Sequence, residues 1–422
     1  MAKNEIAVVG GGLGGLIAAF DVARRGVDAV LFEATGSCGG RAKTRVVDGF
    51  CLNQGPHALY LAGALQKALS EFGVVVTGQG PDLTNGLGLW GREREPFPLA
   101  RAGEPLSPLN AEEATALQAF YGRVLSEKRL GLGVPLSEVL APLPLQARRV
   151  VEGLIRLSTY TNSPTEIDGK AALDQLRLSF AGTIYVDGGW QSIVDGLVEA
   201  ADRAGVRTRT RSRVENIEPR AGGCRVRHSL GEDDYAAVVV TVPPKAATRI
   251  VSSSSMLEAA VSDLRPVRLM ALDLAIGGRV TCNANFILGF DRPVYLSVHS
   301  AVAALAPPGG TVMHVAHYLS QEEAPSPDFF ESIEQLADAT CDGWREATVQ
   351  EQRLSGATVA HDFPRWRSAG ERAPAQYADA PGVFFVGDWI GSSGMLADAT
   401  AASARVAAAS AASFRASVAH RV

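Results

Sequence analysis

The apolar positions of this chain change period along its length. Residues 5–10, EIAVVG, form a short unbroken apolar run closed by glycine, as in a strand buried on both faces. Residues 13–25, LGGLIAAFDVARR, carry apolar side chains at helical spacing and stop at Gly26, which predicts a helix with a C-terminal glycine. DAVLFE, residues 28–33, predicts a second buried strand, and VFFVGD, residues 383–388, predicts another of the same kind near the end of the chain. An alanine-rich helix is expected from Leu396, with Asp398 placed in its first turn at the positive end of the dipole. Two segments of different texture lie between. Residues 86–184 show helical periodicity, as in NAEEATALQAFYGRVLSE and LQARRVVEGLIRLSTY. Residues 246–365 carry β runs, RLMALDLAIG, NFILGF, PVYLSVHS and TVMHVAHYL, followed by a helix predicted around 328–346. SSSS at 252–255 reads as a turn.

The first strand, turn and helix contain G-x-G-x-x-G at Gly10, Gly12 and Gly15, and Glu33 closes the second strand 18 residues after Gly15. That order is a dinucleotide-binding unit. Glycines let the backbone approach a pyrophosphate, the helix N-terminus stabilises its charge, and the carboxylate accepts from ribose hydroxyls. Glu33 would repel a 2′-phosphate, which disfavours NADP. The glycine pattern alone is weak: GLGLWG, Gly86 to Gly91, matches it too, yet Pro96 and Pro98 follow and forbid a helix, so this stretch reads as a loop or hairpin.

Composition narrows the function classes. The 422 residues are 46% apolar and 20% charged, as in a globular protein of two or three core-sized units. A formal charge of −5, with no basic block interleaved with aromatics, argues against nucleic acid as a partner. Five scattered cysteines with no CxxC pair argue against a disulfide framework and against zinc, and fit a reducing, cytoplasmic setting. No run of 18 apolar residues suggests a membrane span, and glycines interrupt the N-terminal segment where an export signal would need a continuous apolar stretch. His314 and His317, three apart in a strand-like run, would point to opposite faces and make a poor metal pair. No metal site is expected.

After Glu33 the chain continues ATGSCGGRAKTRVVDGFCLNQGPHALY, denser in turn residues than a simple NAD dehydrogenase would be. This stretch, together with YVDGGWQSIVDGLVEAADRAGVRTRTRSRVENIE at 185–218, YAAVVVTVPP at 235–244 and the closing segment, resembles the FAD-dependent amine oxidase superfamily. That superfamily includes monoamine and polyamine oxidases, protoporphyrinogen oxidase and phytoene desaturases. GGRAKT and NQGPHALY are most similar to the bacterial phytoene desaturase-like oxidoreductases.

The resemblance implies an α/β fold: a Rossmann-like FAD-binding domain from 1–85, 185–245 and 366–422, with an inserted α+β substrate domain of antiparallel sheet plus helices from 86–184 and 246–365. It implies non-covalent FAD, with Gly10, Gly12 and Gly15 at the pyrophosphate and Glu33 at the adenosine ribose. Gly40 and Arg41 would contact the phosphate and flavin region, and Val214 would pack its backbone against adenine. Gly55, Pro56 and His57 would run beside the flavin ring, Gly387 and Asp388 would hold the pyrophosphate and ribityl chain, and Gly394, Met395 and Leu396 would meet the pyrimidine edge. His57 is the one candidate acid or base; a histidine merely bonded within its own turn is the competing reading.

The implied activity is hydride removal from a hydrophobic small molecule, isoprenoid or carotenoid-like, to flavin N5, with oxygen or a quinone as acceptor. Two alternatives stay open at this point: oxidation of an amine or amino acid derivative, and a non-catalytic prenyl-binding protein of the GDP-dissociation-inhibitor type. The sequence departs from the amine oxidases where their flavin-facing lysine is expected, since residues 266–277 contain none. An aromatic cage is not obvious either: Trp389 follows the Gly-Asp pair, and Tyr60 and Tyr377 are its candidate partners. No cysteine after Cys341 is left for a covalent flavin link. For a lipid-like substrate, peripheral membrane contact would fall on the apolar stretch at 130–160.

Overall fold

The computed structural model describes residues 3–90, 93–96, 109–278 and 280–419. Its first sheet is seven-stranded and grows from the predicted βαβ unit. The strand Lys3–Val9 runs parallel to Ala29–Phe32 on one side and to the long strand Gly231–Val240 on the other. Val383–Phe385 joins Gly231–Val240 in parallel, so the end of the chain completes the sheet begun at its start. Residues 6–9, 29–32, 235–240 and 383–385 of these strands are apolar on both faces because both faces are covered. One cover is the pair of helices Leu13–Ala23 and Leu396–Ala419; Ala401, Ala404, Ala408 and Ala411 recur at helical spacing on the closing helix and are fully buried against the first helix and the sheet. Small side chains let the helices pack closely. Among the described residues no helix is long and apolar enough to cross a membrane.

The second sheet, also seven-stranded, has the order Thr348–Ala360, Val267–Ile276, Thr311–Tyr318, Val294–Val298, Phe286–Gly289, Gly86–Trp90, Glu93–Pro96. It is antiparallel except where Phe286–Gly289 meets Gly86–Trp90. GLGLWG is thus the first arm of a hairpin, as the prolines suggested; Gly91 and Pro98 lie outside the described residues. Period-two alternation sorts the central strand Val267–Ile276 between two cores. Leu272, Leu274 and Ile276 pack toward the helix Pro327–Asp338, whereas Leu269 and Ala271 pack toward the helices Ala111–Ser126, Leu145–Thr159 and Gly169–Phe180.

Two expectations are corrected. The helix foreseen over 328–346 ends at Asp338, because Cys341–Asp342 turns into a short strand before a single further turn at Trp344–Ala347. The cysteines are not all unpaired either: Cys341 lies opposite Cys282 on the strand Thr281–Cys282, and the two form a disulfide. Their separation of 59 residues gave no local pattern from which pairing could be read. Cys38, Cys51 and Cys224 are free.

Candidate active site

A cavity of about 900 Å³ opens at the C-terminal ends of the parallel strands and extends to the second sheet. This is where open α/β sheets bind ligands, and the volume is within the roughly 300–1,000 Å³ usual for cofactor clefts. Of the residues singled out in the sequence, Gly10, Gly12, Glu33, Gly40, Arg41, Gly55, Pro56, His57, Val214, Gly387, Asp388 and Leu396 line it. Gly15, Gly394 and Met395 do not. Gly15 abuts the Gly10 carbonyl behind the turn, Gly394 accepts from Arg372 at 3.0 Å, and Met395 is buried in the core beside the second sheet.

The glycine turn is shaped for an anion. Gly10 adopts φ +108°, a conformation that favours glycine, and Gly12 caps the first helix without any side-chain acceptor on its free amides. A Cβ on Gly12 would meet no heavy atom within 4 Å, so this backbone faces open cavity. Glu33 accepts from the Gly11 amide at 2.9 Å and from the Thr35 amide and hydroxyl at 2.7 Å each. Burial opposes ionisation of Glu33, but these donors outweigh it and hold the carboxyl below its ordinary range.

Arg41 and Asp388, 347 residues apart, form an ion pair at 2.6 Å on the cavity wall. Asp388 also accepts from the His361 amide and meets the His361 ring, each at 3.0 Å. Burial of Asp388 works against its charge; the Arg41 guanidinium and His361 more than compensate and hold it far below the usual carboxylate range. Arg41 is therefore no free surface arginine.

The turn at 53–57 is held from several sides. Gly55 donates to Asp273 at 2.9 Å, and the Pro56 carbonyl accepts from Tyr160 at 2.8 Å. His57 Nδ1 is 2.9 Å from the Gly55 carbonyl, which can only accept, so Nδ1 carries the proton and the neutral ring keeps its lone pair on Nε2. Burial depresses the pKa of His57, with the Gly55 bond acting in the opposite direction. The ring is neutral at ordinary pH.

Tyr60, Tyr160, Trp190 and Trp389 supply the aromatic lining, with Leu269, Leu354 and Ala357 as an apolar wall from the second sheet. Tyr377, offered as a cage residue, is instead in the core against Phe385. Tyr160 and Trp190 were missed in the sequence. Tyr160 ends a helix at φ +60°, a local clue that its side chain is held in place by something other than the helix. No lysine and no cysteine lines the cavity among the described residues.

Asp398 lies in the first turn of the closing helix, but its carboxylate accepts from the Leu65 amide at 2.8 Å and so caps a different helix, Ala64–Glu71. Burial pushes this carboxyl up to about 6, against the Leu65 and Ala64 amides. A raised folded-state value means the native protein binds the proton more tightly, so stability is lost as pH rises from about 4 to about 6. Asp398→Asn lacks that proton equilibrium. Its stability relative to the wild type should improve by on the order of 2–3 kcal/mol between about pH 4 and pH 7. Thermal melts of both proteins at the two pH values check this; an unchanged gap contradicts it.

With this geometry in hand, similarity to known proteins decides the family. A model described as flavin containing amine oxidoreductase matches residues 13–410. The chain belongs to that family. It is similar to a carotenoid 3,4-desaturase of Haloarcula japonica, 26% identical over 280 residues that cover 57% of this chain and 56% of that protein. It is similar also to a phytoene desaturase of Fusarium fujikuroi, 24% identical over 258 residues, covering 51% of this chain and 44% of the relative. The match thus spans about half the length of these relatives. Among solved structures, an oxidoreductase from Methanosarcina mazei superposes with a TM-score of 0.75 at 16% identity, covering 95% of this chain and 99% of that one, which shows a shared fold.

Proposed function

We propose that this family member is an FAD-dependent oxidoreductase that removes hydride from a hydrophobic small molecule, of isoprenoid or carotenoid type. The observation that carries the reading is one cavity that joins an anion-binding glycine turn to an apolar, aromatic wall without a lysine. Bound FAD, held without a covalent link, would supply the two-electron acceptor. The desaturase relatives support the substrate class.

The chain's own residues have separable tasks in this reading. The uncapped amides at Gly12 and the first helical turn bind the pyrophosphate, and Glu33 orients the adenosine ribose beside Val214. Arg41 and Asp388 hold the middle of the cofactor. Tyr60 and Tyr160, their hydroxyls bonded to the Ser158 and Pro56 carbonyls, turn ring faces rather than free polar groups to the substrate and exclude water. His57 presents an unprotonated Nε2, able to accept a proton if the reaction releases one. Peripheral contact with a membrane would deliver such a substrate.

Two measurements on the purified protein test this. Denaturation should release about one FAD per chain into the supernatant, and apolar polyene or isoprenoid candidates, added anaerobically, should bleach the bound flavin. Bleaching by amines alone would favour the amine oxidase reading. A protein that takes up no FAD on reconstitution would reject both in favour of a non-catalytic binder.

A further inference from the structure

The second sheet carries a polar row that the cofactor contacts do not use. Register places Gln352, Asp273, His314 and Ser297 side by side on four adjacent strands, the last three of them on the sheet's largely apolar central strands. Asp273, His314 and Ser297 are at most 1% exposed. Asp273 is the row's hub: it accepts from His314 Nδ1 at 2.7 Å, Gln352 Nε2 at 2.8 Å and the Gly55 amide at 2.9 Å. The Gln352 amide and the Gly55 backbone N–H donate to one carboxylate oxygen, and His314 Nδ1 lies against the other. Gln352 reaches on to the Asn53 carbonyl at 3.0 Å, so the turn is tied to this row at its start and at Gly55. His314 Nε2 is buried without a hydrogen-bond partner among the described residues, so the imidazole's only polar attachment is to Asp273.

Burying a carboxylate is costly unless several donors meet it, and a sheet of this kind could do without one. The place where it does occur is beneath the 53–57 turn, which lines the cavity and lies outside this sheet, and the Gly55 amide ties that turn to it. We infer that Asp273, held by His314 and Gln352, is a positioning residue: it clamps the Gly55–His57 turn and through it sets the electrostatic field at the flavin. The inference rests on the FAD reading above. Asp273 acts through the turn, since it does not itself line the cavity.

A fixed negative charge beneath the turn disfavours the added electrons of the reduced flavin, so removing it should make reduction easier. The test is the reduction potential of the FAD-loaded full chain, read by equilibration with redox dyes, which needs no substrate. Asp273→Asn is expected to favour the reduced flavin about tenfold, a rise of about 30 mV for a two-electron couple. His314→Leu should also move the potential away from the wild type, because Asp273 loses its shortest contact and the turn it holds is repositioned. His314→Gln keeps a donor toward Asp273 and should stay near the wild type. FAD bound at full stoichiometry with an unchanged potential in Asp273→Asn overturns the inference. Should that variant fail to fold, equal potentials in His314→Leu and His314→Gln overturn it instead. A wild type that holds no FAD would refute the functional reading, and the inference with it.

Discussion

Gly12→Ala should fold as the wild type does and yet lose FAD, whereas Gly15→Ala should scarcely fold. The two glycines belong to one motif and lie three positions apart, but the space around them is opposite. A Cβ on Gly12 meets nothing within 4 Å and points into the cavity, so its methyl group would displace only the cofactor's pyrophosphate. A Cβ on Gly15 would sit 1.8 Å from the Gly10 carbonyl oxygen, a backbone atom that cannot yield without opening the turn from the first strand. The expected destabilisation for Gly15→Ala is about 4 kcal/mol or more, the range reached when a substitution forces the backbone to move. For Gly12→Ala the expected loss is roughly 100-fold in FAD affinity, about 2.7 kcal/mol, with a Tm of the apoprotein close to that of the wild type. Flavin fluorescence titration and thermal melts separate the two. A Gly12→Ala protein that retains FAD would remove the pyrophosphate from this turn.

Arg41→Ala and Asp388→Asn should both weaken FAD retention while differing in stability. Without Arg41, the Asp388 carboxylate stays buried with only the His361 amide and ring for company. Removing one partner of a fully buried pair costs 3–5 kcal/mol; because the Arg41 side chain is 45% exposed, about 2 kcal/mol is expected here. Asp388→Asn releases Arg41 to water and should cost less. The pair's contribution has a definite pH window. Asp388 is held below its unfolded value, so the stabilisation is present above about pH 4 and is lost as pH falls further. The stability gap between Arg41→Ala and the wild type should therefore narrow on acidification, as urea titrations at neutral and acidic pH would show. A gap that widens would mean that Arg41 stabilises the fold by some route other than the Asp388 charge.

Much of the cavity's lining from the first sheet was legible because its signals are local. Gly10, Gly12 and Glu33 lie within one strand, turn, helix and strand, where spacing along the chain determines spacing in the fold, and the family likeness extended this to Arg41 and Asp388. Gly394 and Met395 were read from the same likeness, but one accepts from Arg372 and the other fills the core. Proximity in sequence to Leu396, which does line the cavity, was not enough, since successive residues in a turn point in different directions. The second sheet was less legible. Its strands were recognisable from their apolar runs, but a lone carboxylate in RLMALDLAIG and a histidine in TVMHVAHYL carry no sign along the chain that they meet.

What the sequence determined by itself is most of the elements and the glycine turn after the first strand, because glycine spacing, apolar period and helix caps act over a few residues. What only the tertiary structure decided is which distant side chains meet: Arg41 with Asp388, Cys282 with Cys341, and Asp273 with His314 and Gln352. The strand pairs among them depend on register across connections of 41 to 79 residues, and a shift of one residue would send each side chain to the opposite face. The separation between strands carries no record of that register, which is settled only when both faces of the sheet are packed.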